Sequence, residues 1–415
     1  MTRIATIIAT AIVGLLATTA AAQDRTALVG GTLLDGLSPE PIEDSVILVE
    51  GERITATGRV GELAVPEGYR VVSTEGMTVL PGLWEAHAHL MLVGHSDYPH
   101  WDRTYIDRFA SEIMPAAAYQ LLMAGITSAR DVGAPLEDSI TVRRRIAEGE
   151  IAGPRLFVSG PFLQHEPYPN TERFRWGIDG VEDARAKVRR LAEAGVDMIK
   201  LIDHDLMTLA EARAVVDAAH EHGLPVITHA HRPAEIRRGL EIGVDDFQHT
   251  GLAAAPEFPP DIMAALEERT ATGRVFGGPL FWTPTVAPLW TYEEISRNDE
   301  MLDDTCWHAG LAEDTIADIE GSIAHPDRLS YHQLTPRRKP TLIRKFKQLR
   351  QAGVVMLIGT DSGVPMTFHC QSTWQEMDIW VRVMGVDPMQ TIRAATYWPA
   401  AQMKREDDLG SLTPG

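Results

Sequence analysis

Apolar positions along this chain fall into two textures, and the change comes at Pro81-Gly82. From Thr26 to Val79, short runs such as Ala27-Leu-Val-Gly, Ser45-Val-Ile-Leu-Val and Ile54-Thr-Ala-Thr alternate with Gly, Pro and Asp-Gly turns, which predicts an antiparallel β module. Beyond Pro81, apolar runs of the length of a buried strand alternate with longer amphipathic stretches, the pattern of repeated β-α units. The strand candidates are Leu83 to Leu90, Thr127 to Val132, Arg155 to Ser159, Met198 to Ile202, Val226 to His231, Asp246 to His249, Phe281 to Val286 and Val354 to Thr360. Eight parallel strands are what a (β/α)8 barrel requires.

Between them lie helical stretches such as Leu209 to His222, whose Ala210, Ala212, Val215, Val216 and Ala219 share one face. The segment Leu289 to Pro336 breaks the repeat and is expected to be a long irregular insertion, a lid or binding loop. The basic run Arg337 to Arg350 carries Leu342, Phe346 and Leu349 at helical spacing, so its cations are expected on a solvated helix face. Trp84 and Trp282 fall inside strand candidates and are expected in the core, and Arg130-Asp131 is expected to form a buried pair.

Residues 1–22 read as a secretory signal peptide: an apolar stretch from Ile4 to Ala17 precedes Ala20-Ala21-Ala22, an A-x-A type cleavage site before Gln23. The stretch is short for the roughly 20 residues of a membrane span, and no later segment reaches that length. The expected location is therefore periplasmic or secreted. Export makes a disulfide possible, and Cys306 and Cys370 can pair or remain buried thiols. The expected organisation is a β module over 23–80, a β/α domain over 81–400, and over 401–415 the start of a return to the β module. That return stops at Leu409-Gly-Ser-Leu-Thr-Pro-Gly415, where a further strand is expected.

A formal charge of −20, from 58 acidic and 38 basic residues, argues against nucleic acid or an anionic membrane as partner. A small-molecule partner fits better, and a homo-oligomer is compatible with the composition.

The chemistry concentrates at polar ends of the apolar runs. His87 and His89, two apart in Glu85-Ala-His-Ala-His, share one face of a strand and can hold one ion together. Lys200, in Asp197-Met-Ile-Lys-Leu, puts an ammonium among apolar neighbours, which is costly unless it is paired or chemically altered. It can reach a carboxylate, or lose its proton and add carbon dioxide to give a carbamate with two hard oxygens. His229 and His231 end the fifth candidate, His249 the sixth and Asp361 the eighth.

Together with Thr78-Val-Leu-Pro-Gly-Leu-Trp-Glu-Ala-His-Ala-His-Leu, Thr127-Ser-Ala-Arg-Asp-Val-Gly and Ile358-Gly-Thr-Asp-Ser-Gly, this set resembles the amidohydrolase superfamily. The nearest group is similar to imidazolonepropionase-related amidohydrolases, including metal-dependent dipeptidases and carboxypeptidases. The resemblance covers Thr26 to Gly415 and implies a (β/α)8, TIM-like barrel carrying a small β-sandwich from both chain ends, whose C-terminal strands this sequence lacks. It implies that His87, His89 and Asp361 hold one divalent ion, that His229 and His249 hold a second, and that Lys200, as N6-carboxylysine, bridges them. Zinc suits nitrogen and oxygen ligands, although manganese, iron or cobalt also fit. A hydroxide shared by two ions about 3.5–4 Å apart would attack a scissile carbonyl, with Asp361 moving the proton to the leaving nitrogen. The implied activity is metallopeptidase-like hydrolysis of an amide in a dipeptide, N-acyl amino acid or cyclic amide.

His231 departs from relatives that place tyrosine there to meet a substrate carboxylate. It either donates to the carbonyl oxygen or leaving group, or fixes the strand end by a hydrogen bond. His95, His100, His165 and His204 are candidates for lining the pocket, and Arg232 and Arg237 for meeting an acidic group. Three readings compete with the amidase: a lactonase or esterase on the same centre, a one-metal imidazolonepropionase-like or deaminase-like enzyme, and a silent binding protein.

Overall fold

The computed structural model describes residues 25–250, 255–272, 276, 278–297, 300–325 and 330–415. The expected signal peptide, 1–22, lies outside them. The chain divides into two units, Met1–Leu33 with Glu40–Val79 and Leu412–Gly415, and Leu34–Pro39 with Leu80–Ser411.

The first unit contains β1 (Arg25–Val29), β2 (Thr32–Leu33), β3 (Ser45–Glu50), β4 (Arg53–Arg59), β5 (Arg70–Ser73) and β6 (Thr78–Val79). Four of these form a sheet in the order β4-β3-β1-β5, with β3 antiparallel to both neighbours and β5 parallel to β1. The unit is therefore mixed rather than purely antiparallel. β2 and β6 pair separately, in parallel. Ala27, Val46 and Leu48 are buried on the packed side, the alternation expected of a sheet with one covered face.

In the second unit, β7 (Leu83–Ala88), β8 (Ile126–Asp131) and β9 (Arg155–Val158) form a parallel sheet in that order. Then come β10 (Phe162–Gln164), β11 (Arg175–Gly177), β12 (Ile199–Leu201), β13 (Val226–His229), β14 (Asp246–Gln248), β15 (Phe281–Thr283) and β16 (Val355–Met356). These build a seven-stranded parallel sheet in the order β11-β10-β12-β13-β14-β15-β16. Every residue of β7, β12 and β14 is buried, as parallel strands covered on both faces are. Helices such as Leu136–Ala147, Val181–Glu193, Leu209–Glu221 and Pro233–Ile242 make the crossovers, giving an α/β fold. Thr208 starts the third of these with a reciprocal cap, its hydroxyl accepting from Glu211 N while Glu211 accepts from Thr208 N.

Each of the eight expected runs contains a strand, and β10 and β11 are additional. Beyond the sheet registers, Ala88 bridges Ser362 in the parallel sense, Ala86 N donates to Ile358 O at 3.1 Å, and Asp197 N donates to Val158 O at 2.8 Å.

Two further expectations need correction. The described residues of Leu289 to Pro336 are largely helical: they hold the helices Ala287–Arg297, Glu300–Asp303 and Glu313–Ile323, the 3-10 turn Thr305–His308 and the start of helix Ser330–Gln351. That last helix runs through Pro336 and Pro340, residues that ordinarily mark helix ends. Its Leu342, Phe346 and Leu349 are buried, as their spacing predicts. Arg130 does not pair with its neighbour Asp131. Successive strand side chains point to opposite faces, and Arg130 crosses instead to Asp246 Oδ2 at 2.8 Å and to Gln402 and Ala86 O, while Asp131 accepts from Leu90 N. Trp84 and Trp282 are buried. Cys306 and Cys370 form a disulfide.

Candidate metal centre

The parallel strands deliver their polar ends to one place. β7 supplies His87 and, one residue past its end, His89; β13 supplies His229; His249 follows β14 directly. Asp361 arrives on the turn Gly359-Thr-Asp-Ser-Gly363, and that turn needs both glycines. A Cβ on Gly359 would lie 2.8 Å from His87 N, and one on Gly363 2.4 Å from His89 O. The close approach lets Ser362 N donate to His87 O and His89 N donate to Ser362 O.

His249 and Asp361 both have left-handed backbones, φ 73° and 61°. Such conformations in residues other than glycine cost energy and concentrate at functional sites.

His87 Nε2 and His89 Nε2 lie 3.3 and 3.2 Å from Asp361 Oδ1, and His249 Nδ1 is 3.7 Å from Asp361 Oδ2. His249 Nε2 and His229 Nδ1 are 2.9 Å apart. The rings of His229, His231 and His249 form a near-equilateral triangle, with centroid separations of 4.4, 4.6 and 4.4 Å. Two groups capable of holding an ion result: His87, His89 and Asp361, and His229, His231 and His249.

Burial governs the electrostatics. It depresses His87 to about 3 and His231 to about 3, and holds His229 and His249 well below the usual histidine range, so all four rings are neutral with a lone pair to offer. Burial pushes the Asp361 carboxyl up, but the closeness of His87 and His249 outweighs it and holds it well below the usual carboxylate range, leaving a carboxylate. Burial also pushes Lys200 down to about 7, against the pull of Asp361 and Asp246. Lys200 Nζ has no hydrogen-bond partner, and neither have His87 Nε2, His89 Nδ1 and His231 Nδ1, although all are shut off from solvent. Buried polar atoms are normally satisfied. A cluster of orphaned nitrogens around a carboxylate is a donor set that divalent ions fit.

Several supporting residues carry no signal of their own in the sequence. Glu85 accepts from His87 N (2.9 Å), Thr360 N (2.8 Å), Thr360 Oγ1 (2.9 Å) and Thr373 Oγ1 (2.7 Å), pinning the first histidine to the Asp361 turn. Gln248 Oε1 accepts from His87 Nδ1 at 2.6 Å, and Thr285 Oγ1 lies 2.9 Å from His249 Nδ1. Glu235 Oε2 accepts from the backbones of His231 and Arg232, fixing the turn that carries His231. Glu85 and Thr360 stand inside recognisable motifs and Gln248 beside one, but the contacts that join them to one another and to His87 across the fold span up to 275 residues.

A cavity of about 830 Å³ opens on the centre and is lined by His89, His229, His231, His249 and Asp361. Arg232 also lines it, tied to Asp203 and Asp205. His165 is exposed and does not line the cavity. Neither does His204, which is buried with Nε2 on Glu235 O and Nδ1 on Thr228 Oγ1, a bracing role. Arg237 pairs with Asp261 on the surface. His95 and His100 gather instead around Asp318, at 3.6 and 2.8 Å. Asp318 accepts from His100 Nε2 and the Tyr105 hydroxyl, while His95 Nδ1 accepts from Asp97 N and its Nε2 has no hydrogen-bond partner.

Comparison with known proteins places these features in a family context. The model of the Amidohydrolase family matches residues 78–415. An imidazolonepropionase of Hyphomonas neptunium is 23% identical over 386 residues, covering 90% of this chain and 86% of its own. The crystal structure of a Xaa-Pro dipeptidase with methionine in its active site superposes with a TM-score of 0.68 at 23% identity, covering 94% of this chain and 91% of that one. Phenylurea hydrolase B gives 0.74 at 19% identity, covering 94% and 89%.

Proposed function

Since the chain belongs to the amidohydrolase family and is a metal-dependent hydrolase of carbon–nitrogen bonds, we propose that its centre is binuclear and that it cleaves the amide of a dipeptide, N-acyl amino acid or cyclic amide. The observation that carries this reading is Lys200: a buried, unpartnered amine whose electrostatic neighbours include Asp361 and His87 of one group and His229, His231 and His249 of the other. An uncharged lysine there adds carbon dioxide, loses a proton and becomes a carbamate able to serve both groups. His87, His89 and Asp361 would hold one ion, His229 and His249 the other, with zinc favoured by the nitrogen-rich set. When bound, the ions supply Lewis-acid polarisation and water acidic enough to ionise near neutrality.

The chain's own groups do the rest. Asp361, a carboxylate at the cavity wall, accepts a proton from the attacking water and returns it to the leaving nitrogen. His231, neutral and facing the cavity, donates to the carbonyl oxygen. The bridge between Ala88 and Ser362 and the bond from Asp197 to Val158 support reading the two parallel sheets as arcs of one (β/α)8 barrel, which places the strand ends on one face. The disulfide supports the expectation of an exported protein, since such bonds persist in oxidising compartments.

The test is elemental analysis of the purified protein with labelled bicarbonate in the growth medium. Two ions per chain and a carbamate resonance lost in Lys200→Met are expected; one ion and no carbamate would overturn the binuclear centre. Matched amide and ester substrates separate the bond types, and a strong preference for the ester would sink the amidase reading.

A further inference from the structure

We propose that Arg175 is an anion subsite of the cavity and that the substrate carries an anionic group, such as a carboxylate, that pairs with it. The inference rests on the amide-hydrolase reading and names the substrate class it acts on.

Arg175 opens β11, directly opposite Phe162 of β10. Its guanidinium lies 4.9 Å from the Phe162 ring, 4.6 Å from Tyr168 and 5.7 Å from Phe174. Three aromatic faces hold the charge in place by cation–π attraction without offering it an acceptor. It donates to Gln164 Oε1 at 3.1 Å, while its Nε is closed to solvent and has no hydrogen-bond partner. Among the described residues Arg175 forms no ion pair, although burial depresses its guanidinium.

Its acidic neighbours do not fill the gap. Asp203 is engaged on both oxygens, by Arg232 at 3.0 Å and by the Tyr168 hydroxyl at 3.1 Å. Asp102 lines the same cavity and interacts with Arg175 only through space. A rigid five-donor fork in a cavity wall, with its carboxylate partner missing, suits a bidentate anion.

The placement sets the distance. The Phe162 ring lies 5.7 Å from the His89 ring and 4.9 Å from the guanidinium, so Arg175 is within about 11 Å of the His89 ring. A substrate whose amide carbonyl sits at the ligands can therefore place an anionic group on Arg175 within the same cavity. A substrate with a neutral tail leaves the fork unpaired.

The experiment uses the metal-loaded enzyme, its Arg175→Met and Arg175→Lys variants, and N-acetyl-L-phenylalanine beside its carboxamide. Methionine keeps the apolar stack and removes only the charge. Arg175→Met is expected to raise KM for the acid roughly 10- to 100-fold, the worth of a charged hydrogen bond, with kcat nearly unchanged and the carboxamide unaffected. Arg175→Lys should fall between. Equal effects on acid and carboxamide, or none, would overturn the subsite. Calorimetric binding of the same pair keeps the two readings apart. If the wild-type protein hydrolyses neither compound but binds the acid, and Arg175→Met does not, the amide-hydrolase reading fails and the subsite stands. Equal binding by both proteins removes the subsite.

Discussion

Glu85 provides the sharpest test of how the centre is held. Its side chain is fully buried and accepts four hydrogen bonds, two from backbone N–H groups on one oxygen and two from threonine hydroxyls on the other. Glu85→Leu leaves the N–H groups of His87 and Thr360 without an acceptor. Each buried unsatisfied donor costs about 1–3 kcal/mol, so the pair predicts a loss of about 2–6 kcal/mol. Glu85→Gln behaves differently. Its amide oxygen can take the position that accepts both N–H groups, and its NH₂ then faces Thr360 and Thr373, whose hydroxyls rotate to accept. The expected cost is about 1 kcal/mol or less. Urea unfolding of both variants beside the wild type measures the difference, and metal content reports on the site, because the lost bonds flank His87 and Asp361. Glu85→Leu should bind metal poorly and Glu85→Gln nearly normally. The reasoning fails if the two variants are equally damaged, or if Glu85→Leu unfolds with the wild type.

Three further outcomes are expected. Arg130→Met strands Asp246, which is fully buried with it, and should cost about 3–5 kcal/mol in urea unfolding; adding Asp246→Asn should recover part of that loss. Burial raises Glu376 to about 8, so its folded form binds a proton more tightly than the unfolded chain. Its stabilising contribution is then full below about 4.5 and lost as pH rises through about 8, worth up to roughly 5 kcal/mol, and Glu376→Gln should flatten the pH dependence of the urea midpoint over that window. Reducing the Cys306–Cys370 bond, which closes a loop of 64 residues, should lower stability by about 4 kcal/mol if loop entropy dominates, read as a fall in Tm with dithiothreitol that a Cys306→Ser/Cys370→Ser variant no longer shows.

What the sequence conveys here follows from the range of the forces involved. Parallel strands buried on both faces announce themselves as apolar runs, and the polar residues that end them stand out by contrast, which is why His87, His89, Lys200, His229, His249 and Asp361 are legible. Of Ser330–Gln351 only the part from Arg337 onward is legible, because Pro336 and Pro340 are local signs of interruption that packing of Leu342, Phe346 and Leu349 overrides. Hydrogen-bond partners are the least legible. Glu85 meets Thr373 across 288 residues, and Arg130 meets Asp246 across 116, contacts that no local pattern encodes. The same blindness misplaced His204, whose ring is spent on Thr228 and Glu235 O behind the cavity wall.

The left-handed backbones of His249 and Asp361 filter these two positions twice. Among residues other than glycine, that conformation is tolerated best by asparagine, aspartate and histidine, and those side chains also carry the nitrogen and oxygen donors an ion needs. Glutamate or cysteine could satisfy the chemistry but would pay in the main chain, and glycine would satisfy the main chain with nothing to offer. Drift at either site is thereby confined to a very small alphabet, and Asp361→Asn emerges as the exchange that keeps shape and backbone while removing the charge.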